Sequence, residues 1–269
     1  MAITTLDGVI AGCLPPQFIL KVLSGTLVAG RPYTPFYSNG IPGPAVAPTP
    51  GISGAALTTY PGQIPFTDAP VGESSYLARF AALSSAQSGT IMLVDRLWHN
   101  SSINITSTAS QTVNSVAFPA RDQNGSTDGV GVLLAVDVSA ATGAGTPTIT
   151  VTYTNSSNAG SKTGTNVIAT SATSPIGTTY FIGLAAGDVG VRSVQSIQLS
   201  ATWTSGTIHL VAYRVLATVQ CPGAGTAQAV DALTGGMPVM YDGSVPYMIF
   251  VPNTTTTTSL QGTMVVTQG

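Results

Sequence analysis

The segment Thr148-Ile149-Thr150-Val151-Thr152-Tyr153-Thr154 alternates strictly, one apolar side chain for each threonine it follows. A period of two marks a β-strand with one face in a core and the other toward solvent, and β-branched residues suit that pleated surface. The same period runs almost unbroken from about residue 101 to residue 220. It predicts eight strands, near 102–107, 112–118, 129–138, 147–154, 165–170, 178–183, 193–204 and 207–219. Turn clusters such as Gln123-Asn124-Gly125, Gly143-Ala144-Gly145 and Ser156-Ser157-Asn158 separate them. The expected fold is therefore all-β, an antiparallel β-sandwich of jelly-roll or immunoglobulin-like kind.

Ser205-Gly206 reads as a two-residue hairpin loop between the last two of these strands. That register sets Trp203 opposite Ile208, Ala201 opposite Leu210 and Leu199 opposite Ala212 on the core face. The other face pairs Thr202 with His209, Ser200 with Val211 and Gln198 with Tyr213. An outer face that is half apolar is expected to meet a neighbour, which singles out His209, Val211 and Tyr213.

Outside this region the chain changes character. Nine of its 18 prolines stand between Pro32 and Pro70. Proline lacks an N–H and pushes its predecessor toward extended geometry, so this stretch is neither a helix nor a central strand. It also carries Tyr33, Phe36, Tyr37, Tyr60 and Phe66, more rings than a linker needs. Either it is an extended arm laid along a neighbour with the rings as anchors, or it is a long ordered loop wrapped over the chain's own core. Before it, Ile3, Leu6, Val9 and Ile10 share a helical face with Asp7 near the positive end. After it, Glu73 to Ser88 is the stronger helix candidate, with Tyr76, Leu77, Phe80 and Leu83 close to one face and Gly89 to close it. Thr90 to Trp98 reads as a strand. The end of the chain, with Met237 to Tyr241, Tyr247 to Val251 and Met264 to Val266, reads as strand fragments or a second arm. Three regions follow: an N-terminal arm and helix over 1–95, a sandwich over 96–220 and a small C-terminal β segment over 221–269.

Charge narrows the functions. Only 18 of the 269 residues are Lys, Arg, Asp or Glu, 7% of the chain, for a net charge of -2. An ordinary soluble domain carries about 25%. Two Lys and six Arg spread over this length make no basic stripe, so neither nucleic acid nor a polybasic membrane contact is expected as a partner. The hydrophobic share of 43% opposes disorder. With 38 Thr against one Glu, Glu73, the surface must be kept wet by hydroxyls and amides. Such a surface suits a protein packed against copies of itself or a lattice, since interface cores are depleted in charge. The plainer reading is a Thr-rich domain that is soluble without charge. The first ten residues lack the cationic start of a secretory signal, and no apolar run reaches the ~20 residues of a membrane helix; origin in the cytosol or delivery by assembly is expected.

No catalytic or metal-ligating set is expected, and no cofactor. Asp95 and His99 share a strand face, but no nucleophile context accompanies them, and a structural His99 is the plainer reading. Glu73 has no second carboxylate for glycosidase work, and no glycine-rich phosphate loop is present. Asp122, Asn124, Ser126 and Asp128 place oxygens at alternating positions, as calcium would like, yet the glycine is misplaced for an EF-hand and the closing Glu is missing. An Asn-Gly turn with solvated aspartates is the stronger reading. Cys13 and Cys221 stand far apart, either as one long-range disulfide or as two unrelated thiols.

The stretch Gly187-Asp188-Val189-Gly190-Val191-Arg192-Ser193-Val194-Gln195-Ser196-Ile197-Gln198-Leu199-Ser200 resembles a segment of tailed-bacteriophage virion proteins. Asp95-Arg96-Leu97-Trp98-His99-Asn100 and Val151-Thr152-Tyr153-Thr154-Asn155 are similar to the same group, the capsid-associated decoration or cement proteins. The resemblance spans about Ala29 to Ala217 loosely, and its motifs are structural. It implies a β-sandwich with an N-terminal arm, commonly a homotrimer, on the exterior of the capsid, with the major capsid protein as partner. It carries over no functional residues. The expectation is a non-enzymatic virion protein whose arm, through Tyr33, Phe36, Tyr37, Tyr60 and Phe66, multiplies contacts with the head. The rival is a tail or fibre adhesin gripping a host glycan, although the loops 123–128, 139–147 and 155–164 hold no aromatic residue.

Overall fold

The computed structural model describes residues 3–23 and 25–269. In chain order the elements begin with α1 (Leu6–Ala11), β1 (Gln17–Leu23), β2 (Gly40–Ile41), β3 (Ala55–Ala56), β4 (Ser75–Ser84) and β5 (Gly89–His99). There follow β6 (Gln111–Thr112), β7 (Val132–Ala140), β8 (Ile149–Asn155), β9 (Lys162–Asn166) and β10 (Thr179–Gly183). The last are β11 (Val191–Leu199), β12 (Thr207–Cys221), β13 (Gln228–Asp231), β14 (Val239–Met240), β15 (Pro246–Pro252) and β16 (Thr258–Gln268). The protein is nearly all antiparallel β with one short helix among the described residues, as the alternation dictates, and its curled sheets form a β-sandwich.

The chain folds as two compact units, Met1–Ala45 with Thr58–Asp95 and Val215–Gly269, and Val46–Leu57 with Arg96–Arg214. The residues of 221–269 thus share a unit with the N-terminal region instead of standing as a third part.

In the first unit a sheet runs β13-β4-β16-β1-β2, with β14 also on β4. β15 pairs with β5 from Pro246↔Asp95 to Pro252↔Gly89. Phe80, Met264 and Ile19 from the first set and Ile91, Leu93 and Phe250 from the second close one apolar core. The second unit orders its strands β12-β7-β10-β9-β8-β11-β6 and sets β3 on the end of β5. A bridge at Val130↔Gly190, with Gly131 N–H donating to Val189 O at 3.0 Å, curls the start of β7 toward the approach to β11. Trp98, Tyr153, Tyr180 and Trp203 fill that core.

Three expectations change. Glu73 to Ser88 is not a helix; it holds β4. Leu77 and Phe80 both face the core three residues apart because a β-bulge lies between them: Val265 opposes Arg79 while the next residue, Val266, opposes Leu77. The extra residue imitates helical spacing. The short helix lies instead at Leu6–Ala11, capped by Thr5, whose Oγ1 accepts from Gly8 N–H at 3.1 Å.

Ser205-Gly206 does not join a hairpin. β11 pairs with β8 and β6, whereas β12 pairs with β7, with Leu210 opposite Val136. Residues 200–206 cross over, held by Trp203 N–H on Ile105 O and Thr204 N–H on Ala144 O. The strands expected at 102–107 and 112–118 reduce to Gln111–Thr112, because Ser102 and Asn114 take a positive φ and a turn at 105–106 breaks the extended path.

Candidate functional site

The charged residues locate the chemistry, because so many of them are inside. Lys21, Asp95, Arg96, Arg121, Asp122, Asp137 and Arg214 are buried. Five of them, Lys21, Asp95, Arg96, Asp137 and Arg214, sit in apolar strand runs, as in Phe18-Ile19-Leu20-Lys21-Val22-Leu23 and Leu133-Leu134-Ala135-Val136-Asp137-Val138. In a chain this poor in charge, a lone ion among strand apolars was the legible signal, and sequence reasoning passed over it.

The second unit carries a buried polar cluster. Arg96 Nη1 donates to Asp137 Oδ2 at 2.7 Å, and Thr179 Oγ1 donates to Asp137 Oδ1 at 2.9 Å. Arg121 Nη1 donates to Leu57 O at 2.7 Å, which ties the residue after β3 to the cluster. His209 Nδ1 lies 2.8 Å from Asn100 O and its Nε2 lies 2.6 Å from Ser139 Oγ. Burial, and then the Arg96 charge, hold His209 down at about 4, although its bond to Asn100 pulls the other way. His99 falls to about 2 through burial, the Arg96 charge and His209. Burial favours the neutral form of both rings, and the His209 ring holds the Asn100 carbonyl as a structural histidine does. Burial, with the Asp137 charge behind it, pushes the Tyr213 phenol up.

Asp95 turns elsewhere, accepting from Val245 N–H at 2.8 Å and Ser244 Oγ at 3.2 Å. Asp122 explains the acidic turn. Its carboxylate accepts from the N–H groups of Asn124, Ser126, Gly129 and Val130 and from Ser126 Oγ, all between 2.8 and 3.0 Å. Burial raises this carboxyl, but the Ser126, Asn124 and Val130 donors outweigh it and hold the group below its ordinary range. Both oxygens are occupied by the loop itself, as in an Asx turn. No group of three or more metal-ligating side chains occurs among the described residues. Cys13 is exposed and Cys221 buried, and both are free thiols. A cleft of about 300 Å³ lies in the first unit over Leu77, Leu216, Val230 and Pro238, with Asp231 and Thr234 on its wall. Thr234 and the Leu233 amide donate to Asp231 Oδ1.

The residues expected to grip a partner are mostly inside their own unit. Tyr33 and Phe36 are each 1% exposed. Tyr33 exchanges backbone hydrogen bonds with Phe250 at 2.7 and 2.8 Å, and Phe36 lies 5.0 Å from the Tyr247 ring and 6.0 Å from Tyr60. The stretch from Tyr33 to Phe36 is laid along β15 of its own unit, which corrects its assignment to a neighbour at these two positions. The prolines of this part of the chain hold the extended path, and the rings supply apolar burial that the lone strand edge lacks. Tyr37, Tyr60 and Phe66 stay partly exposed. His209, Val211 and Tyr213 are also buried, because β12 is a central strand covered on both faces and not the outer strand of a hairpin.

No family model matches the chain, and no curated protein does. Solved structures similar to it at a low level are viral capsid proteins. The VP2 subviral particle of infectious bursal disease virus has 9% identity and a TM-score of 0.21, over 94% of this chain and 79% of that one. The T13 particle of the same virus has 11% identity and a TM-score of 0.17, over 94% and 76%. A likeness this remote fixes neither fold nor role. No helix among the described residues is long and apolar enough to cross a membrane.

Proposed function

We propose that this chain is a non-enzymatic virion structural protein, a decoration or cement protein that binds the exterior of a tailed-phage head and stabilises it. One observation carries the reading. Of 18 charged residues, seven are buried, which leaves eleven for an accessible surface of 10436 Å². A free-standing domain keeps about 25–35% of its surface residues charged, and charge-poor surface is what interface cores present. Among the described residues thirteen large apolar side chains are exposed as well, from Leu6 to Leu233. The resemblance of Gly187 to Ser200 and of Asp95 to Asn100 to phage virion proteins points the same way. Of the ring anchors anticipated for the major capsid protein, Tyr37, Tyr60 and Phe66 are the ones still offered to it.

The test is to mix purified protein with phage heads that lack it, image them by cryo-electron microscopy and heat both samples. Regular added density on the outer surface with a higher disruption temperature is the expected result. Unbound heads would overturn the reading and turn attention to a tail adhesin, for which a glycan array is the next probe.

A further inference from the structure

The first unit leaves one face of its sheet bare. On β1, alternate residues Ile19, Lys21 and Leu23 point into the core, so Phe18, Leu20 and Val22 point out. Register carries that outer face across the neighbours: Phe18 opposes Thr263, which opposes Ala81, which opposes Ala229. The next row joins Leu20, Gln261 and Leu83. Phe18 is 53% and Val22 51% exposed. The proline-rich segment meets β15 through Tyr33 and adds only the short β2 to this face, where Ile41 opposes Leu20 and is itself exposed. Only at its far corner does the face meet charge, where Arg79 and Asp231 oppose each other and compensate.

We infer that this face is where a second copy of the chain docks, sheet against sheet about a two-fold axis. The inference rests on the reading of the chain as an assembly subunit and names the surface it uses.

Three features select a copy of the chain over another protein. The first is shape. Phe18 stands at one edge of the face, and beside it the small side chains of Ala81, Ala227 and Thr263 leave a depression of about 200 Å³. Knob and hollow on one surface are self-complementary: across a two-fold, each Phe18 enters the other copy's hollow. The second is charge. A partner of ordinary composition would lay ions on this neutral face and strand them out of water, at the cost of a buried unpaired charge. A surface as poor in ions as this one is the match, and the chain itself brings it. The third is size. Four strands about 4.8 Å apart, over the seven residues of β1 at about 3.4 Å each, give a flat footprint of about 450 Å² per copy. Two corrugated faces of that footprint remove on the order of 1,000 Å² from water, the lower bound for a specific interface. Aligned packing of twisted sheets is the ordinary way two such faces meet.

The experiment is sedimentation equilibrium of the full chain over a concentration series, for the wild type, Phe18→Asp, Ala81→Arg and the control Val71→Asp in an exposed turn off the sheet. Circular dichroism and Tm are recorded for each. The expected result is a wild-type and control dimer, with both face variants folded and their dimer Kd raised about 30-fold or more. If one face variant fails to fold, the other decides. A wild type that stays monomeric throughout, a trimer, or a dimer that persists in the folded variants would overturn the inference. Head binding, measured on the same samples, separates the two readings. A dimer that ignores heads keeps this interface and removes the decoration role, and a monomer that binds heads does the reverse.

Discussion

Arg96 Nη1 donates to Asp137 Oδ2 at 2.7 Å, and neither side chain has any exposed surface. Both ions pay a full desolvation cost, so the pair tolerates replacement of both members better than loss of one. Asp137→Ala takes the carboxylate away from the buried Arg96 guanidinium and removes the closer acceptor of the Thr179 hydroxyl. We expect urea unfolding to show a loss of about 3–5 kcal/mol for that variant. The double variant Arg96→Met, Asp137→Leu should recover most of it.

The paired histidines make the fold acid-sensitive. His209 titrates at about 4 in the fold against an ordinary value of 6.5. Between those values the unfolded chain takes up a proton that the folded chain refuses, so stability is full above pH 6.5 and falls as pH drops toward 4. The shift is worth about 3 kcal/mol from this ring alone, and His99, titrating at about 2, adds in the same direction. His209→Gln should flatten the stability curve between pH 6.5 and 4 by about one proton's slope. An unchanged curve would show that the ring does not titrate in this way.

Asp122 gathers five donors onto one carboxylate, and calcium has no free oxygen to take there. Added calcium should leave Tm unmoved. Asp122→Ala should cost about 3 kcal/mol or more, since hydrogen bonds to a charged group contribute about 1.5–3 kcal/mol each. A calcium-dependent rise in Tm that Asp122→Ala abolishes would reverse this account.

Phe36, packed among Tyr37, Tyr60 and Tyr247, is a core residue of its own unit. Phe36→Ala should lower unfolding free energy by about 3–5 kcal/mol. A partner anchor would behave oppositely, with stability kept and head binding lost, and thermal melts beside a binding assay distinguish the two.

Lys21 Nζ donates to Ser38 O at 3.1 Å and Gly43 O at 2.9 Å, pinning the proline-rich segment to β1. Burial lowers it from 10.5 to about 8. Between pH 8 and 10.5 the unfolded chain holds a proton the fold releases, so this group's contribution rises with pH in that window. Lys21→Met should remove that rise, as read from unfolding curves at stepped pH.

The sequence by itself determined the fold class and much of the strand content. Alternation in Thr148 to Thr154 is local, and a half-buried strand reads directly as period two; β8 lies at Ile149–Asn155. Charge depletion was legible in the same direct way. The helix misplaced over Glu73 to Ser88 shows where local reading ends: a bulge opposite Val265 and Val266 shifts the period, and only the pairing partner reveals it. Strand order is decided by non-local hydrogen bonds. It put β7 and not β11 beside β12, and so turned His209, Val211 and Tyr213 from an expected surface into core. The destination of the proline-rich segment was open for the same reason, since rings that anchor on a neighbour and rings that anchor on β15 look identical along the chain. Pattern specifies which side chains want burial; what buries them is a property of the assembled sheets.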